Sequence, residues 1–370
     1  METSQHNPWL PRLAKILVFA TLVLILIGGM VTTSGSGMAI ATAPHAPSGA
    51  LNPVGFTENY PTLVEHSHRL AAITVAFLTA FLCAWLWWEW AGFLAAIVLM
   101  GVCGPLGKAL GIGGNALAHL HYWPAAIVFV AIAIIRARRS GQRLTTEHWL
   151  ALVAFVAVCA QAVMGSLRVT LESGGDLAAA TNLRTFHGIF AQAFLALVVV
   201  LAVRLCPTHR QFAAQAPVPA AGKISRMAFA AIILYFLQLS CAAYLRHRGL
   251  GLALNTWPAA QAEGGLLPAH WTHAIGIHFL HTRVLAILLA GHVIGMAIGA
   301  AKRAKSQPLL TRVAWRMLAL VVLQFILGVL VIWKGRQAHI TNTHVLVGAL
   351  FLTQAVLLFT RASALKPRTE

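Results

Sequence analysis

Glu65 to Trp87 read EHSHRLAAITVAFLTAFLCAWLW, two histidines and Arg69 leading into eighteen residues without a charge. A helix crossing the ~30 Å hydrocarbon core of a bilayer needs about 20 apolar residues. This run meets that demand, and it is not alone. Between residues 70 and 107 the only charge is Glu89, so a tight helical hairpin must turn at Trp88-Glu89-Trp90-Ala91-Gly92. Reading outward gives ten apolar segments, at 13–34, 66–87, 91–107, 118–136, 147–167, 185–204, 226–245, 274–299, 313–333 and 343–360, with Pro, Gly or charge clusters at most boundaries. The expected fold is therefore an all-α polytopic membrane protein.

Composition agrees. Of 370 residues 59% are hydrophobic and 10% charged, against about 25% charged in soluble domains. The net charge of +18 does not indicate nucleic acid, because the cations sit in short loops between apolar runs. With a cytoplasmic N-terminus, seventeen Lys and Arg fall on inner segments and nine on outer ones. That bias places both termini inside and implies a multi-pass protein of the cell inner (plasma) membrane. Arg12 and Lys15 before Ile16–Ile27, with Ala39-Ile40-Ala41, resemble a cleaved signal. The run continues through Gly28-Gly29-Met30-Val31, which makes it long enough to span. The five cysteines form no CxxC pair and suggest neither a disulfide framework nor a zinc site. Gly101 to Lys108 superficially resembles a phosphate-binding loop, but its spacing is wrong and Ala109 stands where Ser or Thr is needed.

A repeat organises the spans. Helices end with Gln, three residues and a small residue at Gln161–Gly165, Gln238–Ala242 and Gln324–Gly328. After each comes an outer loop, then a helix with histidine near its first turn: His187, His281 and His344. The first span, ending Gly28-Gly29-Met30-Val31, is followed likewise by His68. His68 and His187 are 119 residues apart and His281 and His344 are 63, and the 56-residue difference is the length of 91–146. Eight core helices in two duplicated four-helix bundles, plus an inserted two-helix hairpin, are expected. Residues 1–90 and 147–205 make the N-terminal half, 91–146 the hairpin and its basic loop, 206–225 a cytoplasmic linker, and 226–370 the C-terminal half.

Ionisable groups in spans are costly and tend to be functional. Neutral imidazole is a common axial ligand of haem iron, and facing helices of a bundle can present one from each side. His68 would pair with His187, and His281 with His344. Each of these, taken singly, also fits an interfacial histidine bonded to a carbonyl. His66, His270, His273, His278 and His339 read as residues of outer loops and helix mouths. His119 and His121 begin a hairpin helix outside the repeat. Glu65 shares a helix face with His68, where a carboxylate can serve as general base or stabilise a developing cation; a helix N-terminal acid is the plainer reading. Arg69, Arg168, Arg246 and Arg283 are the leading candidate partners for anionic propionates, as they are for lipid phosphates.

These motifs resemble the haem A synthase family. Glu65-His66-Ser67-His68-Arg69 matches its Glu-x-x-His-Arg signature. Gly28 to Gly37 resembles its first helix and loop, Gln161 to Val169 its third helix, and His187-Gly188 with Ala191-Gln192 its fourth. Tyr244-Leu245-Arg246-His247 with Asn255-Thr256-Trp257-Pro258 resembles the fifth helix and following loop. His281 and His344 fall where the last two family histidines belong. The resemblance implies oxidation of the C8 methyl of haem O to a formyl group, giving haem A for terminal oxidases. It further implies substrate haem on His68 and His187 with Glu65 as the catalytic residue, and a haem b cofactor on His281 and His344. Expected partners are haem O, the bilayer, the haem O-producing farnesyltransferase and an electron carrier. Three departures stand out. Residues 35–60 lack the cysteine pair of some members, the first outer loop reads Ala41-Thr42-Ala43-Pro44-His45, and Thr282 separates His281 from Arg283. A bis-histidine cytochrome b for electron transfer and a haem transporter are the competing readings.

Overall fold

All ten apolar segments are helical in the computed structural model, which describes residues 8–40, 53, 55–88, 90–112, 114–141 and 143–366, leaving aside the side chains of 114, 115, 118 and 121. The described residues contain no strand. They divide into two compact units, 1–205 and 206–370.

The first unit holds α1 (Trp9–Thr33), α2 (Tyr60–Trp87), α3 (Trp90–Ala109), α4 (Gly114–Arg139), α5 (Thr146–Ser173) and α6 (Leu177–Leu205). The helices α1, α2, α5 and α6 close a four-membered ring in that order, and the hairpin α3–α4 packs on α2 and α5. The second unit holds α7 (Pro207–Ala213), α8 (Ala221–His247), α9 (His273–Phe279), α10 (Ala286–Arg303), α11 (Pro308–Trp333) and α12 (Ala338–Ala364). A π-helical stretch, Leu280–Leu285, joins α9 to α10 and makes them one span. Here α8, α10, α11 and α12 form the ring.

Nine helices among the described residues are long and apolar enough to cross a membrane, with hydropathies of 1.8 to 2.5. The tenth expected segment, 118–136, lies in α4, which at 26 residues is ~39 Å long at 1.5 Å per residue. Large side chains such as Phe19, Leu94, Val98, Ile127, Ile287 and Leu323 point outward, as they do where lipid replaces water.

The helices run longer than their apolar runs. α2 starts at Tyr60 because Asn59 accepts the Thr62 N–H (3.2 Å) and Pro61 stands in the first turn. α6 starts eight residues ahead of its apolar run, at Leu177. These added turns precede the long apolar runs, so a hydropathy reading leaves them out. At the end of α1, the hydroxyls of Thr32, Thr33 and Ser34 fold back onto the carbonyls of Gly28, Gly29 and Met30, engaging acceptors near a helix end that leaves carbonyls without intrahelical partners. α2 stops at Trp88, which is left-handed (φ 53°) and donates its N–H to Ala84 and Trp85; Glu89, the centre of the expected turn, lies outside the described residues. So does the altered loop 41–45. The segment 206–225, read as plain linker, contains α7 and the first turn of α8. Gly101 to Lys108 is helical within α3, which removes the phosphate-loop reading on geometry as well as on spacing.

Candidate functional site

The ring order puts the four histidines on opposite corners. In the first unit α2 and α6 each pack against α1 and α5, so the helices of His68 and His187 are diagonal. In the second unit the diagonal helices are the α9–α10 span and α12, which carry His281 and His344. Each histidine lies six to ten residues into its helix, about 9 to 15 Å along the axis.

The helix before each histidine supports it at the repeat's small residue or glutamine. A methyl group on Gly28 of α1 would sit 3.0 Å from His68 Cε1. Gly165 of α5 lies against His187 (3.6 Å) and Gly328 of α11 against His344 (3.2 Å). Gln161 donates to the His187 carbonyl (3.3 Å) and Gln238 to the His281 carbonyl (2.9 Å), while Gln324 bonds the His344 ring at 3.1 Å. His281 Nδ1 donates to the Gln238 carbonyl (3.2 Å). His281 and His344 lie within electrostatic reach of each other. All four histidines keep part of their surface open, yet the Nδ1 atoms of His68 and His344 are buried without a hydrogen-bond partner. Buried ring nitrogens normally find one. Histidines on diagonal helices, ring nitrogens without partners and glycines beside the rings fit a group that would take one imidazole from each side, as haem can.

Beside His68 the chain builds an ionic clamp. Glu65 is 2% exposed. Its Oε2 accepts the Ile40 N–H (2.8 Å) and its Oε1 accepts from Arg69 Nη2 (2.7 Å). Arg69 Nη2 also donates to the Ile40 carbonyl (2.7 Å). The loop after α1 is thus tied to the first turns of α2. Gly37 is where that loop admits Arg168, whose Nη1 would lie 2.9 Å from any Cβ there. Arg168 pairs with Glu172 (3.4 Å), which also pairs with Arg184 (3.6 Å). Arg184 Nε is buried without a partner. Arg69, Arg168 and Arg184 thus share two carboxylates, Glu65 and Glu172.

The second unit repeats the clamp with other chemistry. His278, in the place Glu65 holds relative to its histidine, bonds the Gly251 carbonyl through Nε2 (3.1 Å). Arg283, 7% exposed, donates through Nη2 to the carbonyls of Thr256 (2.6 Å) and Ala259 (2.7 Å), and through Nη1 to Thr282 Oγ1 (2.8 Å). Arg283 therefore holds the loop after α8, as Arg69 holds the loop after α1. The extra Thr282 falls inside the π stretch. A π turn absorbs one residue without rotating the remainder of the helix, so His281 and Arg283 both keep their places. The lone signal for this in the sequence is the one-residue shift of the arginine. Arg246 reaches the Asn342 side chain (3.5 Å). Glu263 is the second unit's only side-chain carboxylate among the described residues.

His66 packs edge-on against Phe56, and His273 bonds the Tyr244 hydroxyl (3.1 Å). His270 and His339 are exposed. His119 is engaged by Trp123 Nε1 (3.0 Å), and the His121 side chain lies outside those described.

Comparison with known proteins adds to this geometry. The model of the cytochrome oxidase assembly protein family, COX15-CtaA, matches residues 121–356, more than half of the chain. The chain belongs to this family. Similarity to individual relatives runs further. The haem A synthase of Bradyrhizobium sp. (strain ORS 278) is 25% identical, over 99% of this chain and 93% of that protein. That of Rhodopseudomonas palustris (strain HaA2) is 25% identical over 96% and 92%, and that of Bacillus licheniformis 23% over 91% of each. Glu65, His68 and Arg69 precede the segment matched by the family model, and the full-length relatives extend the similarity across them.

Proposed function

We propose that this chain is a haem A synthase of the plasma membrane, oxidising the C8 methyl group of haem O to the formyl group of haem A. The observation that carries the reading is the repeated diagonal pair of histidines, each backed by the preceding helix, in a chain similar along its length to haem A synthases. His68 and His187 would hold the substrate haem, and His281 and His344 a haem b cofactor. Haem b, when bound, supplies a reversible one-electron centre. The two imidazoles that would hold it are positioned by this chain, His281 by the Gln238 carbonyl and His344 by Gln324. Ligand orientation of this kind tunes a metal site.

The anionic edges of two haems suit the cations at the histidine ends. Around the first pair, Arg69, Arg168 and Arg184 outnumber Glu65 and Glu172, and Arg184 has a free donor. Around the second pair, Arg246, which reaches Asn342, is the cation that would meet a ligand's negative charge. Arg283 is already committed to loop carbonyls, so its part is to hold the loop over the site rather than to take a propionate. Glu65 is one helical turn from His68 and buried, and both its oxygens are fixed. In that position it orients and stabilises positive charge developing at the reacting edge. Haem O reaches the site from the bilayer or from the farnesyltransferase that makes it, and an electron carrier completes the partners.

A bis-histidine cytochrome would not need Glu65. Glu65→Gln keeps an acceptor for Ile40 or Arg69 and removes the charge. The variant is expected to bind both haems with unchanged spectra and to convert no haem O. Full conversion by this variant would leave Glu65 a loop tether and favour electron transfer as the function.

A further inference from the structure

Arg336 stands in the turn between α11 and α12 with left-handed backbone (φ 63°), directly after Gly335, which is left-handed too (φ 61°). Its N–H closes the end of α11 on the Val331 carbonyl (2.8 Å). A side chain in this conformation carries a steric cost that glycine avoids, so the turn itself gives no reason for an arginine. The side chain is half-buried and runs across Gly251, in the loop after α8. A Cβ on Gly251 would lie 3.2 Å from Arg336 Cδ, 3.3 Å from Nε and 3.6 Å from Cζ. The carbonyl of the same glycine bonds His278 Nε2 (3.1 Å), and His278 is one helical turn ahead of His281. Arg336 and His278 therefore meet on Gly251, beside the turn that leads into the second histidine site. Of the other arginines at this end, Arg283 is committed to loop carbonyls, Arg248 lies over the Tyr244 ring (4.1 Å), and Arg246 reaches Asn342 (3.5 Å), two residues ahead of His344. Arg336 has no hydrogen-bond acceptor and no carboxylate partner among the described residues, and it lies within electrostatic reach of Arg246. Two guanidiniums brought together without a counter-ion suit an anion, and their planar forks suit a carboxylate.

We propose that Arg336 is a binding residue of the second histidine site, taking together with Arg246 a carboxylate of the porphyrin that His281 and His344 would hold, with Gly251 as the cradle that aims it. The inference rests on the assignment of a haem to those two histidines. An arginine that only braced the loop across Gly251 would be indifferent to the charge of the porphyrin.

The test uses the full-length protein with His68→Ala and His187→Ala, so that only the second site is read. It is titrated with iron protoporphyrin IX and with the dimethyl ester of that porphyrin, whose propionates carry no charge. Arg336→Gln is expected to weaken binding of the free acid about ten-fold, the size of one charge-assisted hydrogen bond, and to leave binding of the ester as it was. Arg336→Lys should recover part of the loss. The midpoint potential of the bound haem should fall in Arg336→Gln, because a positive charge near the iron is gone. Equal weakening with both porphyrins overturns the proposal and leaves Arg336 a brace for the loop. Unchanged affinity for both overturns it as well and points to a lipid phosphate as its partner. Where the double-alanine background does not fold, the same comparison is made on the otherwise unaltered protein, through the low-spin signal that His281→Ala removes. If His281→Ala removes no bound haem, the haem assignment itself fails, a result distinct from a failure of Arg336 alone.

Discussion

Three glycines contact the histidine rings at three different distances, and the differences predict an ordered series. An alanine at Gly28 places its methyl 3.0 Å from His68 Cε1 and 3.3 Å from Nδ1, whereas ordinary contact begins near 3.4 Å. The ring or α1 must yield by a few tenths of an ångström. Overpacking of this kind costs ~1–3 kcal/mol, against a gain of ~1 kcal/mol for Ala over Gly in a helix. At Gly328 the methyl lies 3.2 Å from His344 Cε1, a milder clash, and at Gly165 it lies 3.6 Å from His187, an ordinary contact. Gly28→Ala should therefore disturb its haem most, by lowered occupancy and shifted low-spin signals. Gly328→Ala should have a smaller effect confined to the other haem, and Gly165→Ala should be neutral or slightly stabilising. Pyridine haemochrome content and ferric spectra of the three purified variants measure this. A Gly165→Ala as damaging as Gly28→Ala would refute the placement of the rings.

The second unit yields two further expected outcomes. Deleting Thr282 should turn the π stretch into regular α-helix and leave the second haem bound, whereas deleting the exposed Ile287 rotates the buried face of α10 by about 100° and should abolish it; equal damage from both deletions, seen by haem content, would sink the π-turn account. Arg283→Ala removes four donor contacts, to Thr256, Pro258, Ala259 and Thr282, from a buried guanidinium and should cost about 3 kcal/mol, seen as a lower thermal midpoint and easier proteolysis within 250–260, with a thermal midpoint equal to wild type as the contrary result.

The sequence was most legible where hydropathy speaks. Every apolar run became a helix, and Glu89 alone marked the hairpin between α2 and α3. It was mute where extra turns precede the apolar run, as at Tyr60 and Leu177, because capping by Asn59 and Asp176 and not hydrophobicity fixes those ends. The repeat of glutamine and small residue was visible as spacing, but that Gly28 touches His68 and Gly328 touches His344 depends on how neighbouring helices are rotated, which no spacing states. The arginines divide in the same way. Their position near the histidines could be read directly. That Arg283 is consumed by the carbonyls of Thr256 and Ala259 could not, because the loop's path is set by the clamp itself. The shifted arginine after His281 looked like a departure from pattern, and the π turn gives it a physical cause.

The central claim is that the chain oxidises haem O. Haems extracted from a host that makes haem O, with and without this protein, separate by chromatography. The account predicts haem A, or its singly hydroxylated precursor, only when the protein is present, and loss of that product in Glu65→Gln. Haem O left unchanged in air, beside a relative that converts it under the same conditions, would contradict the claim and leave a haem-binding electron carrier.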